Sequence, residues 1–142
     1  MTRLLMRPQE NDMSNANSYP KGLTPKMRRD ILAQYYESGK ALPINMGTYR
    51  SDEHGCGTTA CIAGSTIFLF KKVLWDAYPG TENKYKFYEW GTKVAHKAAE
   101  LLGLPLPTDR GIFEEDHLFV QFDIDTPEWA AKEIRALTKL DD

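Results

Sequence analysis

Long apolar runs are missing from this chain. No stretch approaches the roughly 18 apolar residues of a membrane-spanning helix. The opening MTRLLMRPQENDMSNANSYPKG also lacks the apolar core of a secretion signal. These absences argue against a helical membrane protein and predict a cytoplasmic one. Cysteine is scarce, with Cys56 and Cys61 the whole supply. In the cytoplasm both stay reduced, and a Cys-x4-Cys spacing fits neither a CxxC redox pair nor a common zinc motif. Excess charge is missing as well. Eighteen Lys and Arg stand against 20 Asp and Glu, a net charge of −2, so nothing draws the whole chain to nucleic acid or to an anionic membrane. There is no internal repeat and no low-complexity tract.

What is present is the composition of one soluble domain, mainly α-helical, with residues 1–20 as a flexible N-terminal segment and 21–142 as the helical domain. Four helices are predicted around one core. Thr24-Pro25 starts the first, since Thr caps well and Pro at the first helical position loses no useful N–H. Met27, Ile31, Leu32 and Tyr35 give it one apolar face, and Ser38-Gly39 ends it. The second, about 58–77, is apolar nearly all round and is expected at the centre of the fold. Pro79-Gly80 stops it. The third, about 88–102, carries Trp90, Val94, Ala98, Leu101 and Leu102 as a stripe and stops at Gly103. The fourth starts at Thr126-Pro127 and turns Ala130, Ile134 and Leu137 inward. Irregular loops, with at most a short strand, fill the rest.

The most specified stretch is His54-Gly55-Cys56-Gly57-Thr58-Thr59-Ala60-Cys61-Ile62-Ala63-Gly64. Read as packing, it is a buried helix start whose small residues admit a close neighbour. Read as a site, the first helical N–H groups lack internal partners and favour an anion. His54, Cys56, Gly57, Thr58 and Thr59 would then hold a small anionic ligand. A cysteine there would be a nucleophile. That gives a rival enzymatic reading, with Cys56 as nucleophile, His54, His96 or His117 as base, and the 57–60 amides as oxyanion donors. Papain-type proteases also start a core helix with cysteine, but their local signature and distant His–Asn pair are not evident here. A metal would have to draw on His54, Cys56, Cys61, His96, His117 and some carboxylates. Cys61 is expected to face the core, so no metal and no cofactor are predicted.

Other polar features read as ordinary surface. Asp109, Glu114, Glu115, Asp116, Asp123 and Asp125 make a solvated acidic loop. Lys21, Lys26, Arg28 and Arg29 make a modest basic cluster, with Arg3 and Arg7 upstream. Tyr78, Tyr85, Phe87, Tyr88 and Trp90 crowd the connection before the third helix, and such aromatics suit an interface as well as a core.

Several blocks also arrive in a familiar order. Asn45-Met46-Gly47-Thr48-Tyr49 comes first, then Cys56 to Gly64, then Ala98 to Leu104, His117-Leu118-Phe119, and Thr126 to Ala131. Over about residues 44–137 the chain resembles a family of small bacterial and phage proteins with the pattern (N/D)MG…CGTxACIAG…LLGL…TPxxA. The resemblance implies a mainly helical intracellular domain and no particular activity. Where the family often has Trp or His and then Ala, this chain has Ser65-Thr66. A phage or mobile-element origin fits a short accessory protein. The expected function is therefore non-enzymatic binding of a host protein or a small anionic ligand.

Overall fold

Four of the five described α-helices start where a side chain can accept from a first-turn amide. In a computed structural model that describes residues 22–54, 57–80, 83–108 and 112–138, α1 runs Pro25–Glu37 with Thr24 as its cap. Thr24 Oγ1 accepts from the Met27 amide at 3.1 Å. The last helix, α5 (Pro127–Thr138), repeats the device, with Thr126 Oγ1 accepting from the Trp129 amide at 3.1 Å. The expected N-terminal segment 1–20 lies outside the described residues.

The predicted second helix is corrected at both ends. Two short strands, β1 (Ser51–His54) and β2 (Gly57–Thr59), pair antiparallel where a helix start was expected. Ala60 extends β2 onto Ile44 in a single parallel bridge, with Asn45 N–H donating to Ala60 O and Ala60 N–H to Pro43 O, both at 3.1 Å. Two adjacent β-branched threonines favour this extended path over a first helical turn. The helix α2 is Ile62–Phe70, and a separate short helix, α3 (Lys72–Ala77), follows.

The break between them is Lys71, at φ −142° and ψ 65°. It rotates the following turn. Val73 stands four residues beyond the fully buried Leu69, yet it is 72% exposed, while Trp75 is buried. Trp75 packs edge-on against Phe68 with ring centroids 5.1 Å apart. The Arg50 guanidinium covers its other side at 4.0 Å and donates to the Trp75 carbonyl at 2.6 Å.

The longest helix, α4 (Lys84–Leu102), starts four residues before the expected point. Asn83 Oδ1 accepts from the Lys86 amide at 3.1 Å. It ends on Gly103, whose φ of 68° is the left-handed conformation that glycine adopts at no steric cost. Arginine completes this end. Arg28 donates to the Leu101 carbonyl at 2.8 Å and Arg29 to the Leu102 carbonyl at 2.6 Å. Two cations thus meet the negative end of the α4 dipole. Arg29, expected on the surface, is 4% exposed.

The architecture is mainly α. The helix α1 lies between α5 and α4, and α4 packs in turn on α2. Seven of the nine residues of α2 are buried, with Ile62, Ile67 and Leu69 fully so. The two positions after Gly64, Ser65 and Thr66, are also sealed. Thr66 Oγ1 donates back to Ile62 O at 2.8 Å, and Ser65 is fully buried, as Tyr36 of α1 nearly is. Burial holds the Tyr36 phenol well above its ordinary pKa, so it stays protonated.

Candidate functional site

The sequence-predicted site is not a helix start. Of its members, Cys56 lies outside the described residues, as does Gly55. His54 ends β1, and Gly57, Thr58 and Thr59 form β2, so the 57–59 amides belong to a strand. The helix begins three residues later, and its start is capped by a side chain. Cys61 is the cap, at φ −78° and ψ 179°. Its Sγ accepts from the Gly64 amide at 3.4 Å. Burial pushes the Cys61 thiol above its ordinary pKa, and the Gly64 and Ala63 amides offset this in part. A protonated sulfur is a cap and a poor nucleophile.

The small residues of the motif do serve close packing, but against a loop rather than a helix. The Cys61 amide donates to Thr48 O at 3.0 Å, which draws the 48–49 backbone across the start of α2. A Cβ on Gly64 would overlap the Tyr49 carbonyl and lie 3.2 Å from Ala60 Cβ. Only glycine fits there.

The two distant histidines do not converge on this motif. His96 is on the outer face of α4, 3.9 Å from Glu100 one turn on. His117 is 5% exposed, and both its ring nitrogens are engaged. Its Nδ1 accepts from the Phe119 amide at 3.0 Å, which places the proton on Nε2, 2.9 Å from Pro105 O. Burial holds its pKa below the ordinary value, so the ring is neutral. Among the described residues no three His, Cys, Asp or Glu side chains gather as a metal site, and no helix is long and apolar enough to cross a membrane.

What the fold does build beside the motif is an aromatic groove of about 210 Å³. Tyr49, Phe87, Phe113, Phe119 and Phe122 contribute its rings, and Gly91 forms part of its wall. Tyr49 stacks on Phe87 with centroids 5.5 Å apart. Gly91 leaves room for the Tyr49 ring, which would lie 3.4 Å from a Cβ there. Phe113 and Phe119 meet edge to face at 5.6 Å. Cys61, half-buried, closes one side.

Two large apolar side chains at this groove remain in solvent. Phe122 is 68% exposed, and Tyr88, edge-on against Phe87, is 67% exposed. Tyr85, one turn before Tyr88, is 77% exposed. No protein family, curated protein or solved structure matches this chain. The geometry of the groove is therefore the guide to what it holds.

Sequence reasoning flagged Tyr85, Phe87 and Tyr88 as a cluster with interface character. It missed Tyr49, Phe113 and Phe122, because nothing in local spacing brings residues 49, 87 and 122 together. It placed Cys61 at the core, against which the residue does pack, and missed that Cys61 also caps α2 and walls the groove. The one local signal was the density of aromatics at 113, 119 and 122 in a loop otherwise rich in acid.

Proposed function

We propose that this protein is a non-enzymatic binding protein and that the aromatic groove is where a partner protein docks. The observation that carries this reading is the pair Phe122 and Tyr88, large apolar rings left in water at the edge of a preformed aromatic groove. Tyr and Phe are enriched at the centres of protein interfaces, and large rings dominate their energetics. The size of the groove favours a side-chain anchor. At about 210 Å³ it is smaller than the roughly 300–1,000 Å³ of small-molecule pockets. Among the described residues its wall holds no charged side chain, so the fitting occupant is an aliphatic or aromatic side chain carried by a partner segment. The host-protein origin of that partner follows the phage-like resemblance and is part of the same proposal.

The enzymatic alternative draws no support from the described side chains. His117 is engaged at both nitrogens, His96 pairs with Glu100, and the Cys61 thiol is held protonated.

The test is selection of peptides from a displayed random library on the immobilised full chain, followed by affinity measurement on Phe122→Ala and Tyr88→Ala. Both residues are exposed, so both variants should unfold at the wild-type urea midpoint. Selected peptides are expected to carry an apolar anchor and to bind each variant about tenfold or more weakly, the scale of a hot-spot residue. Peptides that bind both variants as tightly as wild type would refute the groove, and so would a selection that yields no binder.

A further inference from the structure

The aromatic groove is apolar, but its two rims carry opposite charges. Phe87, Gly91 and Ala95 of α4 form one side. Lys84 stands three residues before Phe87 and seven before Gly91, on the same face of that helix. Phe119 and Phe122 lie on the loop side, and Asp123 follows Phe122. Lys84 and Asp123 are both exposed, and among the described residues neither is held in an ion pair. The same rims carry the two rings left in water. Phe122 is 68% exposed, and Tyr88, one turn beyond Lys84, is 67% exposed. This face thus holds an apolar knob, an apolar hollow and a free charge of each sign. Such a surface is its own complement. A two-fold axis sets each knob over the other copy's hollow, and each positive rim over the other's negative one.

We propose that two copies of this chain pair through this face as a transient two-fold dimer. Phe122 of each copy enters the groove of the other, and Asp123 of each faces Lys84 of the other. The inference rests on the reading of the groove as a protein-docking site and adds its regulation. Self-association covers the groove until a tighter-binding partner displaces the second copy. The available area sets the strength. An aromatic side chain buries roughly 150–250 Å² in full. Phe122 and Tyr88, each about two-thirds exposed, therefore offer roughly 200–350 Å² between them. A stable complex buries about 800 Å² on each partner. The dimer therefore belongs with weak, transient pairs, as a displaceable cover must. A polyanion would be repelled by the Asp123 rim and a polycation by the Lys84 rim, whereas a second copy satisfies both.

The experiment is sedimentation equilibrium of the full chain over a hundredfold range of concentration, from about 5 to 500 µM. A monomer–dimer equilibrium is expected, with a dissociation constant on the order of 10–100 µM. Phe122→Ala should weaken it about tenfold or more. The charges give the deciding readout. Lys84→Glu and Asp123→Lys, both at exposed positions, each turn two attractive contacts into two repulsive ones. Each variant alone should therefore dimerise about fivefold more weakly at low salt. Mixed in equal amounts, the two variants should pair as tightly as wild type, because both contacts across the mixed interface are then attractive. Only contacts between copies give that rescue. The proposal is overturned if the chain stays monomeric at the highest concentration, if Phe122→Ala dimerises as wild type does, or if the mixture associates no better than either variant alone. A chain that stays monomeric while selected peptides still bind the groove would end this proposal and leave the docking reading standing.

Discussion

A single residue, His117, shows how burial turns a candidate catalyst into structure. Its ring sits between Phe113 and Phe119, with centroids 4.3 and 4.8 Å away. Desolvation disfavours the imidazolium and holds the folded pKa below its ordinary 6.5. The unfolded chain keeps the ordinary value, so below about pH 6.5 it binds more protons than the folded protein does. Stability contributed by the neutral ring is therefore full above that pH. It is lost as pH falls from the unfolded pKa toward the depressed folded one. His117→Asn keeps an acceptor for the Phe119 amide but cannot titrate. It should be less stable than wild type at pH 8, and the gap should narrow as pH falls to 5. Urea midpoints of the two proteins across that window check this. A gap that stays constant would mean that His117 is not held neutral. Glu37 does not confuse the comparison. Its carboxylate is held below the usual range by Arg135 in both proteins.

At the scale of elements, the four helix neighbourhoods were legible because their signals are local. Thr-Pro at 24–25 and 126–127, and Gly103, act on backbone groups within a turn of themselves. Asn83 is an equally local cap, but it lies in the polar stretch TENKYK, which reads as a turn, so the expected start fell at Tyr88. The central segment was only half legible. Its apolar content marked it as buried, and Ile62, Ile67 and Leu69 are indeed sealed. Yet apolar content does not report where a helix begins or breaks. Two features fixed those ends, the 43–49 loop that pairs with Ala60 and Cys61, and the rotation at Lys71. Both are tertiary, and neither has a sequence period. The break makes a sharp prediction. A continuous helix would carry Val73 onto the face of the buried Leu69, one turn earlier, whereas the observed break exposes Val73 and buries Trp75. Val73→Ser should change unfolding free energy by no more than about 0.5 kcal/mol. Trp75→Ala should cost about 3–5 kcal/mol, the usual range for emptying a buried Trp site. Chemical denaturation of both variants reads the difference. Equal costs would mean that α2 and α3 form one helix in solution.

Across the whole molecule, the question is whether these elements unfold together. Their contacts form a series, α5 on α1, α1 on α4 and α4 on α2, and a series can fray from its end. The terminal member is tied in two ways. Ala130 and Ile134 of α5 are fully buried. Arg135 reaches across to α1, with Nη2 at 2.7 Å from Glu37 and Nη1 at 2.9 Å from Asp30. The ion pairs are half-exposed and contribute little alone, about 1 kcal/mol or less each. The buried face contributes more, since a fully buried large aliphatic side chain such as Ile134 is worth about 1.5–3 kcal/mol. Apolar burial at Ala130 and Ile134 therefore outweighs the screened charges, and α5 should open only with the rest. Native-state hydrogen exchange measures this directly. The slowest amides of α1, α2, α4 and α5 are expected to share one opening free energy, equal to that from urea unfolding. Raising salt, which screens the Arg135 pairs, should leave that coincidence intact. If α5 amides instead exchange at a lower free energy than those of α1, the last helix opens on its own.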